Sequence, residues 1–435
     1  MIRKGSGIRS WVVFVCCVVN AGTGMAQQTG MSKNDQALIG SMLHIAHDDV
    51  KKYYYDPKIH GLDWDGLYQK YAAMIPKVPN LGEGMRIIAA LLSELKDSHS
   101  YFMPPMRNVV FDYGYRLGIV GDACFVTQIR PGTDAESKLH IGDRVVKLDG
   151  YLVTRGDFHA LQYYRQVLAQ RDGTVFGLQT AGGDVREVKV RATEHPTYSF
   201  KFYSYADEIN HRDSGRDAIH REIREAGDAA IWKLPGFFLS LEDVEWEIGK
   251  ARRHKALILD LRGNSGGSDE TLHWVLGSLF DHDVTIGNRV ERSSTKPMIA
   301  KRQGNPFPGK LIVLVDADTA SASEILARTV QLEHRGTVIG DTTEGAVMGA
   351  KMYREPTGMS PGNDFGLAIT ADNLIMSDGK SLEGTGVTPD EILLPTPADL
   401  AAGRDPVLAR AAELAGVKLD AAAAGKMFPF EWAPL

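Results

Sequence analysis

Between Leu311 and Gly340 the chain reads LIVLV, then DADTA, then SASEILARTVQLEHRG, then TVIG. A short Val/Ile/Leu run cut off by Asp316 and Asp318 predicts a buried strand. Ile325, Leu326, Val330 and Leu332 then recur at roughly helical spacing, so Ser321 stands where a strand passes into a helix. Two readings fit that position. In one, Ser321-Ala-Ser-Glu324 is a capping box, the serine accepting from a main-chain N–H and the glutamate reaching back. In the other, Ser321 is a nucleophile beside the unpaired N–H groups and positive dipole end of a helix, where a developing oxyanion is stabilised.

The same alternation occurs upstream. Helical spacing of Leu241, Val244, Ile248 and Ala251 leads into the apolar run Ala256-Leu-Ile-Leu-Asp260-Leu-Arg262, and Gly263-Asn264-Ser265-Gly266-Gly267 follows before another helix near Ser268. Glycines allow sharp turns and leave N–H groups free to meet an anion. A phosphate loop is disfavoured, because no Lys-Ser/Thr follows the glycines. Two strand-loop-helix units of this kind predict an α/β core with right-handed crossovers.

A chain of 435 residues, 43% hydrophobic and 24% charged, has material for two or three cored domains. Its net charge of -6 leaves no basic surface for nucleic acid, so nucleic-acid partners are not expected. Arg3, Lys4 and Arg9 precede the apolar run Trp11–Val19 and a small-residue stretch to Ala26. This resembles a secretory signal peptide cleaved after Ala26, too short for a stable membrane span, and predicts an exported, periplasmic or secreted, protein. Cys16 and Cys17 fall inside that segment, which leaves Cys124 without an internal disulfide partner. The residues before Cys16 lack the small side chain that lipid attachment needs.

Apolar periodicity predicts helices over about Asp35–Tyr54, Trp64–Met74 and Gly82–Leu95. His44, His47 and Asp48 lack a well-spaced further ligand, so they read as a solvated face and no metal is expected. The third helix runs into Lys96-Asp97-Ser98-His99-Ser100, where His99 is either a general base or a histidine that holds the turn together. From Phe111 to Ala192 short alternating strands take over, and Ala135–Gly150 resembles part of a PDZ domain. By that resemblance Tyr115, Arg116, Leu117 and Gly118 form the loop that holds a peptide carboxylate, with the peptide added as an edge strand. The alternative is a small β-barrel used for packing. His195–Asp213 reads as a connector or edge hairpin. In Ser377–Asp390, Gly384 and Gly386 permit a tight turn that could aim Glu383 inward, or merely a solvated surface turn. Asp405–Leu435 reads as an alanine-rich helix and a tail.

The pieces DPKIHGLDW, the PDZ-like insert, DLRGNSGG, TASASEI and LEGTGVTPD occur in one order over nearly the whole chain. Together they resemble the tail-specific, or C-terminal processing, serine peptidases and their tricorn-like relatives. The resemblance implies a crotonase-like α/β core with a small N-terminal helical region and a PDZ-like insert. Its divisions are a signal peptide over 1–26, a helical region over 27–110, a PDZ-like domain over 111–194, a peptidase core over 195–400 and a C-terminal helix and tail over 401–435. It implies Ser321 as nucleophile, with an oxyanion hole from Ala322 N–H and an N–H at Gly266.

Many such peptidases pair the serine with a lysine; here that position is Ala346, and Lys351 lies out of register. The tricorn-like branch is matched instead by Ser98, His99 and Glu383. The resemblance then implies that His99 takes the proton of Ser321 while Ser98 and Glu383 orient the ring. A nearby Glu383 carboxylate is expected to raise the ordinary histidine pKa somewhat, which puts the acid limb of kcat/KM at about pH 6 to 7. The implied activity is that of an exported endopeptidase acting through an acyl-enzyme on proteins or peptides, among them their C-termini, with no cofactor and with self-assembly open. Two other readings stay open: a non-catalytic member of the fold that binds a ligand or peptide, and a serine-lysine dyad using Lys351.

Overall fold

The computed structural model describes residues 30–105, 109–180, 182–196, 222–356 and 364–432. The expected signal peptide, with Cys16 and Cys17, and most of the 195–213 connector lie outside these residues. No helix among the described residues is long and apolar enough to cross a membrane.

The core is a six-stranded sheet in the order Glu222–Ala226, Ala229–Lys233, Ala256–Asp260, Lys310–Val315, Gly336–Gly340, Glu391–Ile392. All neighbours after the first pair run parallel. Successive side chains of a strand alternate between faces, and both faces of this sheet are covered, which explains the unbroken apolar runs. Leu257, Leu259, Leu311, Val313 and Val315 pack under the helices Leu241–Ala251, Asp269–Gly277 and Ala322–Leu332. Ala256, Ile258, Ile312 and Leu314 pack against the helix Pro406–Leu414 through Val407, Leu408 and Ala411. The loops leaving Ala256–Asp260 and Lys310–Val315 therefore emerge side by side at one end of the sheet, where α/β sheets place their sites.

A second, antiparallel sheet is built on the long strand Asp364–Met376, which pairs with Tyr101–Met103, Val284–Glu291 and Gly349–Pro356. The helices Lys33–Tyr53, Trp64–Ala72 and Leu81–Ser93 share one core with it through Phe102, Phe365, Leu367 and Ile369. Ser32, Asp63 and Asn80 cap the three helix starts. This packing brings the 97–100 turn, which follows the third helix, to the core's site end. His47 is not on a solvated face as expected. It is buried and stacked on Trp64, with its ring nitrogens 2.8 Å from Asp48 and Asp65, because the following helix folds over it.

The β-rich unit has its own core around Tyr115, Val126, Leu148 and Phe176. Its sheet runs Tyr115–Val120, Ala123–Ile129, Arg144–Leu148, Gly173–Gln179, Val185–Arg191. One correction follows: Tyr115, Arg116, Leu117 and Gly118 are not a loop. They form the edge strand of this sheet, since Tyr115 and Leu117 alternate inward into the core while the main chain pairs with Ala123–Ile129. The unit is clamped to the core by Arg155, whose guanidinium donates to Asp341 (3.1 Å), to the Gly121 carbonyl (2.7 Å) and to the Thr342 carbonyl, while Gly121 N–H donates to Asp341 at 2.8 Å.

Candidate active site

Ser321 sits on the turn after Lys310–Val315 with φ 55° and ψ -123°, a conformation that L-residues seldom adopt. The capping reading of its hydroxyl fails. Glu324 N–H donates to the Ser321 carbonyl (2.9 Å), not to its hydroxyl, which makes no cap hydrogen bond. Only the reverse half of a capping box forms, from Ser321 N–H to Glu324 Oε2 at 3.0 Å. The hydroxyl is thereby left outside the cap, at the N-terminus of an eleven-residue helix.

The glycine loop faces this turn. Gly266 has φ 102°, and a Cβ there would lie 2.6 Å from Ser321 Cβ and 3.0 Å from its Oγ, so no larger residue fits. Buried Asn264 ties the two loops together: its side chain donates to the Leu234 carbonyl (2.8 Å) and its own carbonyl accepts from Ala320 N–H (3.0 Å). The expected oxyanion donor at Gly266 needs correction. Its N–H is already donated to Asn264 Oδ1 at 2.8 Å. Among the described residues, the N–H groups of Ala322 and Gly267 on these two loops have no acceptor.

The 97–100 turn is shaped by Asp97, which accepts from the N–H groups of His99 (3.0 Å) and Ser100 (2.6 Å), from Tyr54 Oη (2.8 Å) and from Thr370 Oγ1 (2.9 Å). Sequence reasoning passed over Asp97, although an acid two and three residues before the N–H groups it binds is a common turn signal. Ser98 lies between His99 and Glu383, with its Oγ 2.6 Å from His99 Nδ1 and 3.0 Å from Glu383 Oε2. Glu383 also accepts from Ser98 N–H (2.7 Å) and Val347 N–H (3.0 Å).

Counting donors assigns the protons. An ionised Glu383 can only accept, so Ser98 Oγ–H points at it and the Ser98 oxygen accepts from His99 Nδ1–H. Nε2 is then the bare, basic nitrogen, and among the described residues no hydrogen bond occupies it. Burial lowers the pKa of His99, with the charges of Asp97 and Asp372 acting the other way. Burial pushes Glu383 up to about 7, against the hydrogen bond from Val347 N–H, while the charge of Asp97 adds to the rise.

No hydrogen bond links His99 to Ser321, but a one-residue step connects their supports. Ala346 O accepts from Ser321 N–H at 2.8 Å, and the next residue, Val347, donates to Glu383. Ala346, which stands where the resemblance would place a lysine, thus bonds the nucleophile turn through its main chain. Lys351 is exposed on the strand Gly349–Pro356, within electrostatic reach of Glu291. In the DLRGNSGG segment the charges belong to the scaffold: Arg262 bridges Asp260 (2.8 Å) and Asp405 (2.7 Å). Burial would raise the pKa of Asp260, yet Arg262 and Lys233 hold it well below the usual range.

A cleft of about 440 Å³ runs between the edge strand, at Arg116, Gly118 and Val120, and the glycine loop at Gly263 and Ser265. Phe428 and Phe430 also line it, and the Arg116 guanidinium stands 5.3 Å from the Phe430 ring.

Residues 230–393 match peptidase family S41 and residues 41–89 match the tricorn protease C1 domain. The chain is 26% identical over 275 residues to a tail-specific protease of Haemophilus influenzae, covering 57% of this chain and 36% of that protein. It is 24% identical over 401 residues to tricorn protease homolog 1 of Streptomyces coelicolor, covering 85% of this chain and 34% of that protein. The chain thus spans about a third of the length of these curated relatives. Among solved structures, mature CPAF has a similar fold, with a TM-score of 0.65 at 13% identity over 85% of this chain and 95% of that one.

Proposed function

We propose that this chain, a member of peptidase family S41 by its residues 230–393, is a serine endopeptidase with Ser321 as nucleophile and His99 as general base. The observation that carries the reading is the step at Ala346-Val347. Consecutive residues bond the nucleophile turn and Glu383, and Glu383 holds Ser98 and, through it, the ring of His99. A hydroxyl excluded from its own helix cap and a bare imidazole nitrogen are what acyl transfer requires.

In this reading His99 Nε2 takes the Ser321 proton as Oγ attacks the peptide carbonyl carbon. The carbonyl oxygen, now anionic, is met by Ala322 N–H and by an N–H of the glycine loop, with Gly267 rather than Gly266 as the free donor. His99 then protonates the leaving amine, and water, activated by the same nitrogen, releases the acyl-enzyme. Ser98 and Glu383 keep Nδ1 protonated throughout. The position of Tyr115–Val120 at a sheet edge, lining a cleft with the glycine loop, supports a PDZ-like role of the β-rich unit, in which an extended substrate pairs with that strand and crosses to the loop.

The finer parts of the reading belong to the same proposal. These are the crotonase-like core, the domain divisions, export by the leader, C-termini among the substrates, and self-assembly.

Ser321→Ala tests the reading. It is expected to abolish peptide hydrolysis and fluorophosphonate labelling while shifting stability by less than the loss of a cap, about 1 kcal/mol, since the hydroxyl makes no cap bond. Hydrolysis at the parent rate by this variant removes Ser321 from the mechanism.

A further inference from the structure

Glu324 has no part in the relay, and its side chain is wholly buried. Three residues past Ser321, it would need only one donor to serve as the acid of a capping box. It has four. Ser321 N–H (3.0 Å) and Ala346 N–H (2.8 Å) donate to Oε2, while Gly345 N–H (2.7 Å) and the Thr343 hydroxyl donate to Oε1. Three of these come from a segment some twenty residues downstream. Among the described residues no cation pairs with the carboxylate, and burial pushes it up to about 8 against these hydrogen bonds.

The segment 343–347 is held equally firmly on its other side. Val347 N–H donates to Glu383 (3.0 Å), Gly384 N–H to the Gly345 carbonyl (2.7 Å), and Val387 N–H to Thr343 Oγ1 (2.6 Å). A Cβ on Gly345 would lie 2.8 Å from Gly386 N, and one on Gly386 would lie 2.6 Å from the Thr343 carbonyl oxygen. Packing this close passes a displacement on rather than absorbing it. At the near end, Ser321 keeps a positive φ that persists only where its surroundings enforce it.

We propose that Glu324 is a positioning residue, whose carboxylate locks the nucleophile turn to the segment that holds Glu383, so that Ser321 and the Glu383–Ser98–His99 relay keep a single mutual geometry. The proposal rests on the roles assigned above to Ser321 and Glu383. Glu324 touches no reacting atom. It acts because its two oxygens bind both partners of the joint at once, and misplacing a catalytic group by an ångström costs rate rather than binding.

Glu324→Gln keeps the volume but turns one acceptor into a donor. Whichever end the amide nitrogen takes, it faces groups that donate, so one arm of the joint is released. We expect kcat to fall by about 10- to 100-fold with KM changed less than about two-fold. Fluorophosphonate labelling of Ser321 should slow by the same factor. The double variant Glu324→Gln/Glu383→Gln should be no slower than the slower single variant, because groups that act as a unit are not additive. Thr343→Val, which removes one donor of the four, should lower kcat in the same direction but less, and it decides the matter if the glutamine variant does not fold. Parental kcat in Glu324→Gln, a loss confined to KM, multiplicative losses in the double variant, or, where Thr343→Val must decide, parental kcat in that variant, overturns the proposal. Ser321→Ala keeps the two levels apart. If it is inactive while Glu324→Gln turns over normally, only the positioning role fails; if it is active, the site assignment fails.

Discussion

Glu383→Gln tests the relay where its geometry is most exacting. All three groups around the Glu383 carboxylate donate to it: Ser98 N–H at 2.7 Å, Ser98 Oγ–H at 3.0 Å and Val347 N–H at 3.0 Å. An amide cannot satisfy three donors. In the orientation that leaves the oxygen on Ser98 N–H, the nitrogen takes the place of Oε2 and faces Val347 N–H and Ser98 Oγ, and the hydroxyl must then accept. The Ser98 proton is left with His99 Nδ1, 2.6 Å away, as its acceptor. That reverses the tautomer: Nε2 now carries the hydrogen and can no longer take the proton of Ser321. A base held in the wrong tautomer costs about 10³- to 10⁴-fold in kcat, roughly 4 to 5.5 kcal/mol of barrier.

Lowering the pH should do to the parent what the substitution does permanently. Glu383 titrates at about 7, and its protonated form must donate, as the amide does. Burial meanwhile lowers the pKa of His99 from its ordinary 6.5. Protonation of Glu383 therefore puts an acid limb of kcat/KM at about pH 7, below any loss that follows protonation of Glu324 at about 8, whereas the sequence alone suggested a histidine limb raised by that carboxylate. In Glu383→Gln the limb at pH 7 should vanish, leaving the residual rate to fall only below pH 6.5.

Stability carries the same signature. A folded pKa of about 7 against an ordinary 4.5 means that the folded state binds this proton more tightly. Glu383 thus favours the fold most below pH 4.5, and the benefit is lost as pH rises to about 7. The stability difference between parent and variant should change by roughly 3 kcal/mol over that window. Peptide hydrolysis from pH 5 to 9, with urea unfolding at pH 5 and 8, supplies both readings. A glutamine variant within about ten-fold of the parent rate at pH 7.5, or one that keeps the limb at pH 7, refutes the tautomer argument.

Two further outcomes follow from the same geometry. His99→Ala should lower kcat by about three orders of magnitude or more, whereas Lys351→Ala, on an exposed strand near Glu291, should leave both the rate and its pH profile in place; the opposite pattern in steady-state kinetics would restore a serine-lysine dyad. Arg155→Ala removes the clamp that joins the β-rich unit to Asp341 and should cost about 1.5 to 3 kcal/mol of stability, with kcat/KM for long, extended substrates falling more than for dipeptide-sized esters. Equal losses on both substrate sizes would mean that the unit assembles the active site rather than holding substrate.

Local pattern carried the sequence a long way here. The apolar runs at 256–260 and 311–315 are strands because a sheet covered on both faces needs no polar alternation, and the helical spacing after Ser321 marks a helix that buries one face. Glycines at 266, 384 and 386 marked turns, and each takes a positive φ that favours glycine. The pairing of Ser98 with Glu383, 285 residues apart, was legible only through resemblance to a family, because no periodicity reports a contact at that range. Tertiary structure alone decided the rest. Ser321-Ala-Ser-Glu324 reads as a capping box in isolation, and folding turned it inside out: the serine hydroxyl is excluded, and the glutamate binds a segment that no four-residue pattern could foresee. Gly266 stands against Ser321 as expected, but Asn264 claims its N–H, and that depends on how one turn closes. The direction of the His99 shift was misjudged for a related reason. A neighbouring carboxylate is visible in the chain, whereas the loss of water around a ring depends on everything packed over it, and at this site the loss of water is the larger effect.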